Sequence, residues 1–255
     1  MHLQQQLSSH SPPSSTPIRL DSLVSKLPWT ESRPSDATRL YPSTVRLVPV
    51  DANDVRRAWE DRSGEFSPEY YAYYGPNDTS ESIRRVFDQY LTRESAILEL
   101  GCGPGRHLSH LHDHGFEHLY GVDINDESFE VMGEAYPSLA ADGTFYADAI
   151  ENLVGEFDDG QFDATFSIET LQHIHPDDEW VFEELARSTS DLLVTVENEG
   201  DESVPPSERG VNDDEYDFPL YYRDWKRVFT QFGFVQCEVE RSEHDTLRVF
   251  RRAEE

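Results

Sequence analysis

Residues 97–111 read ILELGCGPGRHLSHL, an apolar run that breaks into three glycines at alternate positions, Gly101, Gly103 and Gly105. Glycine this dense after a strand-like run marks a place where the backbone turns tightly and a ligand comes close, because no Cβ stands in the way. The spacing narrows the choice of ligand. A phosphate loop ends in Gly-Lys-Ser/Thr, whereas Gly105 is followed by Arg106 and His107. A dinucleotide fingerprint, G-x-G-x-x-G, needs glycine where the chain has Arg106. The pattern that fits is acid-x-Gly-x-Gly-x-Gly, filled by Glu99, Gly101, Gly103 and Gly105.

Outward from the loop, short apolar runs alternate with helical segments. AILEL (96–100), HLYGVDI (118–124), GTFYAD (143–148), FDATFSI (162–168) and DLLVTVE (191–197) read as strands. Helices are expected after Gly105, over 126–136, from Pro176 to Arg187, and over 221–231. FVQCEVER and TLRVFRR close the chain as an antiparallel pair. Repeated strand–helix–strand units predict an α/β fold with a mostly parallel sheet covered on both faces. Ligands of such sheets sit beyond the carboxyl ends of the strands, where the glycine loop falls.

Before the sheet the pattern is helical and aromatic: VRRAWEDR, PEYYAYYG and SESIRRVFDQYL. Ile83, Val86, Phe87, Tyr90 and Leu91 recur at the spacing of one helix face, with Ser80 expected as the N-cap. Residues 1–43, rich in Gln, Ser and Pro, lack the apolar content for a core and read as a disordered leader. Within it, 18–29 has the apolar spacing of a short docking helix. Three regions are therefore expected: the leader at 1–43, a helical cap at 44–93, and the α/β domain at 94–255.

The chain carries 51 acidic residues against 21 basic ones, and only Lys26 and Lys226 are lysines. The acids are scattered, which reads as adaptation to a salt-loaded cytoplasm of the haloarchaeal type: at molar salt the Debye length is about 3 Å and self-repulsion is screened. No apolar run approaches the roughly 20 residues that span a bilayer. No secretory signal is evident, so a cytoplasmic setting without membrane is expected. Cys102 and Cys237 are too far apart to form a metal pair, and no metal is expected.

The loop and its surroundings resemble the class I S-adenosylmethionine (SAM)-dependent methyltransferases. ELGCGPG resembles their first motif, GVDI places Asp123 at the end of the second strand, ADAIENL places Asp148 after the third, and FDATFSIETLQHIHP resembles their fourth-strand segment. The resemblance covers about 95–251 and implies a Rossmann-like seven-stranded sheet with an antiparallel last strand. It implies SAM as cofactor, with Glu99 facing the ammonium, Asp123 the ribose hydroxyls, and Asp148 the adenine amino group. Gly101, Cys102, Gly103 and Gly105 would line the amino-acid end, Ile124, Ala149 and Ile150 the nucleoside.

Methyl transfer from a sulfonium needs mainly proximity and orientation, and a base only when the acceptor must lose a proton. The resemblance therefore fixes no catalytic residue. Candidates are His173 as base, Glu169 after the fourth strand, and Tyr74, with Tyr73, as a lid. Thr170 and His175 follow the same strand, and Glu197 and Asn198 end the fifth, near where substrates bind. The acidic stretch 200–225 sits where a substrate loop is expected, with Tyr221, Tyr222 and Trp225 assigned to the helix after it. A small-molecule acceptor is favoured. No Asn-Pro-Pro-Tyr-like run and no basic stripe point to a nucleic acid, although the sequence does not exclude one. An RNA or protein methyltransferase, a SAM-binding protein without turnover, and a nicotinamide oxidoreductase are the alternatives; oligomeric state is left open.

Overall fold

The computed structural model describes residues 51–200, 211–212, 219–242 and 244–253, which fall within one compact unit. The leader, the 18–29 segment and most of the acidic 200–225 stretch lie outside the described residues.

Three helices precede the sheet: α1 (Ala52–Glu60), α2 (Pro68–Tyr74) and α3 (Asp78–Tyr90). Each begins at a side-chain cap. Asp51, Ser67 and Asn77 accept from backbone amides three residues on, satisfying donors that no earlier turn can reach. The cap of α3 is Asn77, where the sequence pointed to Ser80. Ser80 instead sits in the first turn and closes a reciprocal box: its amide donates to Asn77 Oδ1 at 3.1 Å, and its Oγ accepts from the Asn77 amide at 3.0 Å.

The sheet follows as β1 (Ala96–Leu100), β2 (His118–Asp123), β3 (Thr144–Ala147), β4 (Phe162–Ile168), β5 (Thr189–Glu197), β8 (Phe234–Arg241) and β9 (Thr246–Arg252), with a short β6–β7 hairpin (Val211–Asn212, Leu220–Tyr221) apart from it. Its order is β3-β2-β1-β4-β5-β9-β8. The first five strands pair in parallel, and β9 runs antiparallel between β5 and β8. The order reverses between β1 and β4, so the crevice opens where β1 ends in the glycine loop.

The connecting helices are α4 (Arg106–Asp113), α5 (Glu127–Ala135), α6 (Pro137–Asp142), α7 (Ile150–Leu153), α8 (Val181–Ser188) and α9 (Trp225–Thr230). They cover both faces. One core joins α3, α4 and α5 to the sheet through Phe87, Leu108, Met132 and Phe166; the other joins α8 and α9 through Phe182, Leu185, Trp225 and Phe250.

Two expected helices start later than the sequence reading placed them, and one helix, α6, was not expected. Pro176 opens only a 3-10 turn, Pro176–Asp178, and α8 starts afresh at Val181. Pro137, which cannot donate inside a helix, ends the α5 run and starts α6. Tyr221 belongs to β7, so α9 starts at Trp225 under an Asp224 cap.

Candidate active site

One cavity, of about 150 Å³, lies at the carboxyl ends of β1, β2 and β4. Its floor is the glycine loop. Gly101, Gly103 and Gly105 all have positive φ, 65°, 52° and 80°, which L side chains adopt only at a cost. A Cβ on Gly101 would collide with the Thr170 side chain, whereas one on Gly103 would meet nothing and project into open space. The loop thus leaves a bare backbone surface facing the cavity.

Glu99, the penultimate residue of β1, lines this surface and is 1 % exposed. The Leu108 amide, in the uncapped first turn of α4, favours its charged form, while Oε2 has no partner among the described residues. Burial pushes this carboxyl well above the usual range; Arg106 opposes the shift and Asp123 adds to it. A buried acceptor left unpaired costs about 1–3 kcal/mol, so its retention at a cavity wall points to a ligand that supplies the donor.

Asp123 closes β2. Its Oδ2 accepts from the Gly103 amide at 2.7 Å, and Oδ1 accepts from the Asn125 amide at 2.9 Å and Ser128 Oγ at 3.2 Å. Burial raises its pKa and these three donors counter the rise. An ionised carboxylate has about four acceptor positions. Three are used, so this arrangement leaves room for one further donor, and a second requires Ser128 to turn.

The cavity has a roof that the glycine-loop pattern does not announce. Ala52, Val55, Arg56 and Trp59 occupy one face of α1 and all line it, joined by Phe66 and Tyr71. Trp59 meets the His173 ring edge-on at 4.8 Å. Arg56 reaches across to Asp178 at 3.0 Å, and the Arg62 carbonyl accepts from Asn125 Nδ2 at 3.3 Å. These contacts tie α1 and the segment after it to the loops beyond β2 and β4.

Beyond β4, Glu169, Thr170, His173 and His175 line the cavity. Glu169 has φ 51°, unusual for a residue with a side chain. The His173 Nδ1–H donates to the Pro219 carbonyl at 3.2 Å, and burial drives its pKa down to about 4. The imidazole is therefore neutral near pH 7.

Residues 97–191 match the family model described as a methyltransferase domain. Over these residues the chain is similar to methyltransferase domains. A protein of Encephalitozoon cuniculi (strain GB-M1) named as a methyltransferase is 28% identical over 120 residues, 47% of this chain and 48% of that protein, so the chain spans about half the length of that relative. Magnesium protoporphyrin IX methyltransferase from Synechocystis PCC 6803, solved with bound S-adenosylhomocysteine (SAH), superposes with TM-score 0.58 at 15% identity, covering 80% of this chain and 100% of that one. The 1,6-didemethyltoxoflavin-N1-methyltransferase of Burkholderia thailandensis gives 0.57 at 13% identity, covering 80% and 87%. A SAM-dependent methyltransferase from Methanosarcina mazei gives 0.55 at 18% identity, covering 67% and 98%. At these identities the likeness is one of fold.

Of the residues the sequence singled out in the methyltransferase domain, Glu99, Gly101, Cys102, Gly103, Asp123, Ile124, Ala149 and Ile150 line the cavity. Gly105 and Asp148 do not: Gly105 packs against Met132 and Leu139, and Asp148 Oδ1 accepts from the Ala149 amide and Asn152 Nδ2. Cys102 is buried with Sγ against Gly121, and burial raises its pKa, so packing accounts for it. Tyr73 and Tyr74 are 63 % and 61 % exposed and stand outside the cavity, whose aromatic wall comes from Trp59, Phe66 and Tyr71. Glu197 and Asn198 do not line it either; Glu197 is fully buried. Trp59 was within reach of the sequence: Ala52, Val55, Arg56 and Trp59 repeat at i, i+3, i+4 and i+7. Among the described residues no cluster of three or more His, Cys, Asp or Glu side chains is arranged to hold a metal, and no helix is long and apolar enough to cross a membrane.

Proposed function

We propose that the methyltransferase domain, together with its helical roof, methylates a small molecule enclosed beneath α1 and α2, with SAM as donor. One observation carries this reading: a single cavity joins the bare glycine loop, the unpaired Glu99 Oε2 and Asp123 to an aromatic wall of Trp59, Phe66 and Tyr71. Two of the structural neighbours are named for small acceptors, a porphyrin and a toxoflavin precursor. SAM supplies a methyl group already activated on a sulfonium.

The chain's residues supply position and exclusion of water. Glu99 Oε2 takes the cofactor's ammonium, and the free acceptor position of Asp123 takes a ribose hydroxyl. Ile124, Ala149 and Ile150 flank the adenine. His173 and Glu169, which both line the cavity, are the candidates to accept an acceptor's proton where one must leave. The excess of acids over bases supports a salt-rich cytoplasm as the setting.

Calorimetric titration with SAH at molar KCl, with NAD as the comparison ligand, tests the pocket. We expect SAH alone to bind, and Asp123→Asn to weaken it at least tenfold, about 1.4 kcal/mol. A folded sample that binds NAD and not SAH sinks the reading. Product detection in an acceptor screen then separates turnover from binding alone.

A further inference from the structure

Glu169 lines the cavity from the turn after β4, and the chain accepts a left-handed backbone, φ 51°, to place it there. Its amide is pinned, donating to the Val196 carbonyl of β5 at 2.8 Å. On the far side of β5, the β8–β9 hairpin ends in a turn that Ser242 fixes. Ser242 Oγ accepts from the Asp245 amide at 2.9 Å, and the Ser242 amide and hydroxyl donate to the Asp245 carbonyl at 2.8 and 3.1 Å. Thr246, the next residue, stands opposite Glu197 at the end of β5. The hairpin tip therefore reaches past β5, where the half-buried Asp245 carboxyl hydrogen-bonds the carboxyl of Glu169.

Two ionised carboxylates in such contact repel, and neither makes an ion pair with arginine or lysine among the described residues. A hydrogen bond between them needs one proton, carried by one group and accepted by the other. Desolvation and the Glu169 charge raise the Asp245 pKa to about 6, and the adjacent His244 works against the rise. The other titratable group on which Glu169 acts is Tyr71 of α2. Burial, Glu169 and Tyr70 raise its phenol pKa against the pull of Arg106 and Arg62, so it keeps its proton and is no rival base. His173 suits the task less well: its Nδ1–H is committed to the Pro219 carbonyl, and burial lowers its pKa to about 4. A base works best when its pKa lies near the pH of the reaction.

We propose that Glu169 is the catalytic group that takes the acceptor's proton, with Asp245 as the positioning residue that shares it. The proposal rests on the methyl-transfer reading above and names the acceptor class, a hydroxyl or an ammonium whose nucleophile must shed a proton. As that proton passes to the Glu169 carboxylate, the electron pair it leaves on the acceptor forms the bond to the methyl carbon. The carbon–sulfur pair goes to sulfur. Asp245 then holds the proton at the hairpin tip, from which it leaves to water.

Two probes that share the amino-acid and nucleoside ends separate this pair from the cofactor pocket. SAH ends at the thioether, whereas sinefungin carries an ammonium where the transferable methyl group would sit. Glu99 and Asp123 meet both probes alike, so their ionisation cancels in the ratio. Titrated against the full chain at one salt concentration, wild type should favour sinefungin. That preference should rise several-fold, up to about tenfold, between about pH 5 and about pH 7.5 as the pair gives up its proton. Glu169→Gln should cut the preference about tenfold near pH 7.5 and leave SAH within about twofold. Asp245→Asn should keep part of the preference and flatten its pH dependence, which a merely structural role would not do. A wild-type preference that ignores pH, or one that survives whole in Glu169→Gln, overturns the assignment. So does a pH dependence retained in Asp245→Asn. If folded wild type binds neither probe, the methyl-transfer reading falls and the proposal with it.

Discussion

Two glutamates lie at the carboxyl ends of strands in the same sheet, and their surroundings are opposite. Glu99 on β1 and Glu197 on β5 are 1 % and 0 % exposed. Around Glu197 both oxygens have donors: Oε1 accepts from Ser167 Oγ at 2.6 Å and from the Leu171 and Thr170 amides at 3.1 and 3.4 Å, and Oε2 accepts from the Gln172 amide at 3.2 Å. Around Glu99, which lines the cavity, Oε2 has no donor among the described residues. The first is a bracket that holds the turn after β4, which carries Thr170 and His173, in place. The second is poised for something the chain does not itself provide. Burial alone does not distinguish them; satisfaction does.

The sharpest way to break this comparison is to remove the bracket. Glu197→Ala strands the Ser167 hydroxyl and the amides of Leu171 and Gln172 in the interior, each unable to reach water. We expect a loss of roughly 3 kcal/mol in denaturant unfolding, with a weakening of ligand binding as the turn loosens. An unfolding free energy unchanged within 1 kcal/mol would mean that the turn holds itself.

A subtler change uses pH. Burial outweighs the four donors and lifts the Glu197 pKa from 4.5 to about 7. A carboxyl whose pKa is raised on folding contributes stability that is fully present below the unfolded value and is lost as pH rises through the folded one. Wild-type stability should therefore fall between about pH 4.5 and pH 7 relative to Glu197→Gln, which cannot ionise. The two proteins should match near pH 4.5, and the glutamine variant should be the more stable above pH 7. Parallel pH profiles would refute the assignment.

How much of this was open to a reader of the sequence follows the same division. The strands β1, β4 and β9 match the apolar runs because most of their residues are buried by the sheet whatever else happens. The glycine loop was legible because only glycine tolerates three positive φ values in five residues. Glu197 was not, because its partners lie 25 to 30 residues upstream, at Ser167 and in the turn after β4, and no local pattern reports a contact across strands. The roof misled for a different reason. Four tyrosines in five positions drew attention to Tyr73 and Tyr74, yet helical geometry turns only Tyr71 of that group into the cavity, and the wall is completed by Trp59 from another helix. Asp245 gave no signal at all: it meets Glu169 only because the sheet order brings the β8–β9 turn past β5.

The smallest effect on stability belongs to Glu99, and it is the most telling. Glu99→Gln keeps the shape and gives up a carboxyl that burial already disfavours in its charged form, so unfolding should change by less than about 1 kcal/mol, in the stabilising direction if at all. Binding should move the other way. An ammonium placed against Oε2 favours the ionised carboxylate, so a pKa that is high in the free protein falls when ligand arrives, and the proton leaves. Titration of wild type with SAH in buffers of different ionisation enthalpy should therefore show proton release. In Glu99→Gln that release should vanish and affinity should drop about tenfold, worth about 1.4 kcal/mol. Release that persists in the variant would assign the proton to another group and leave Glu99 with the same kind of role as Glu197.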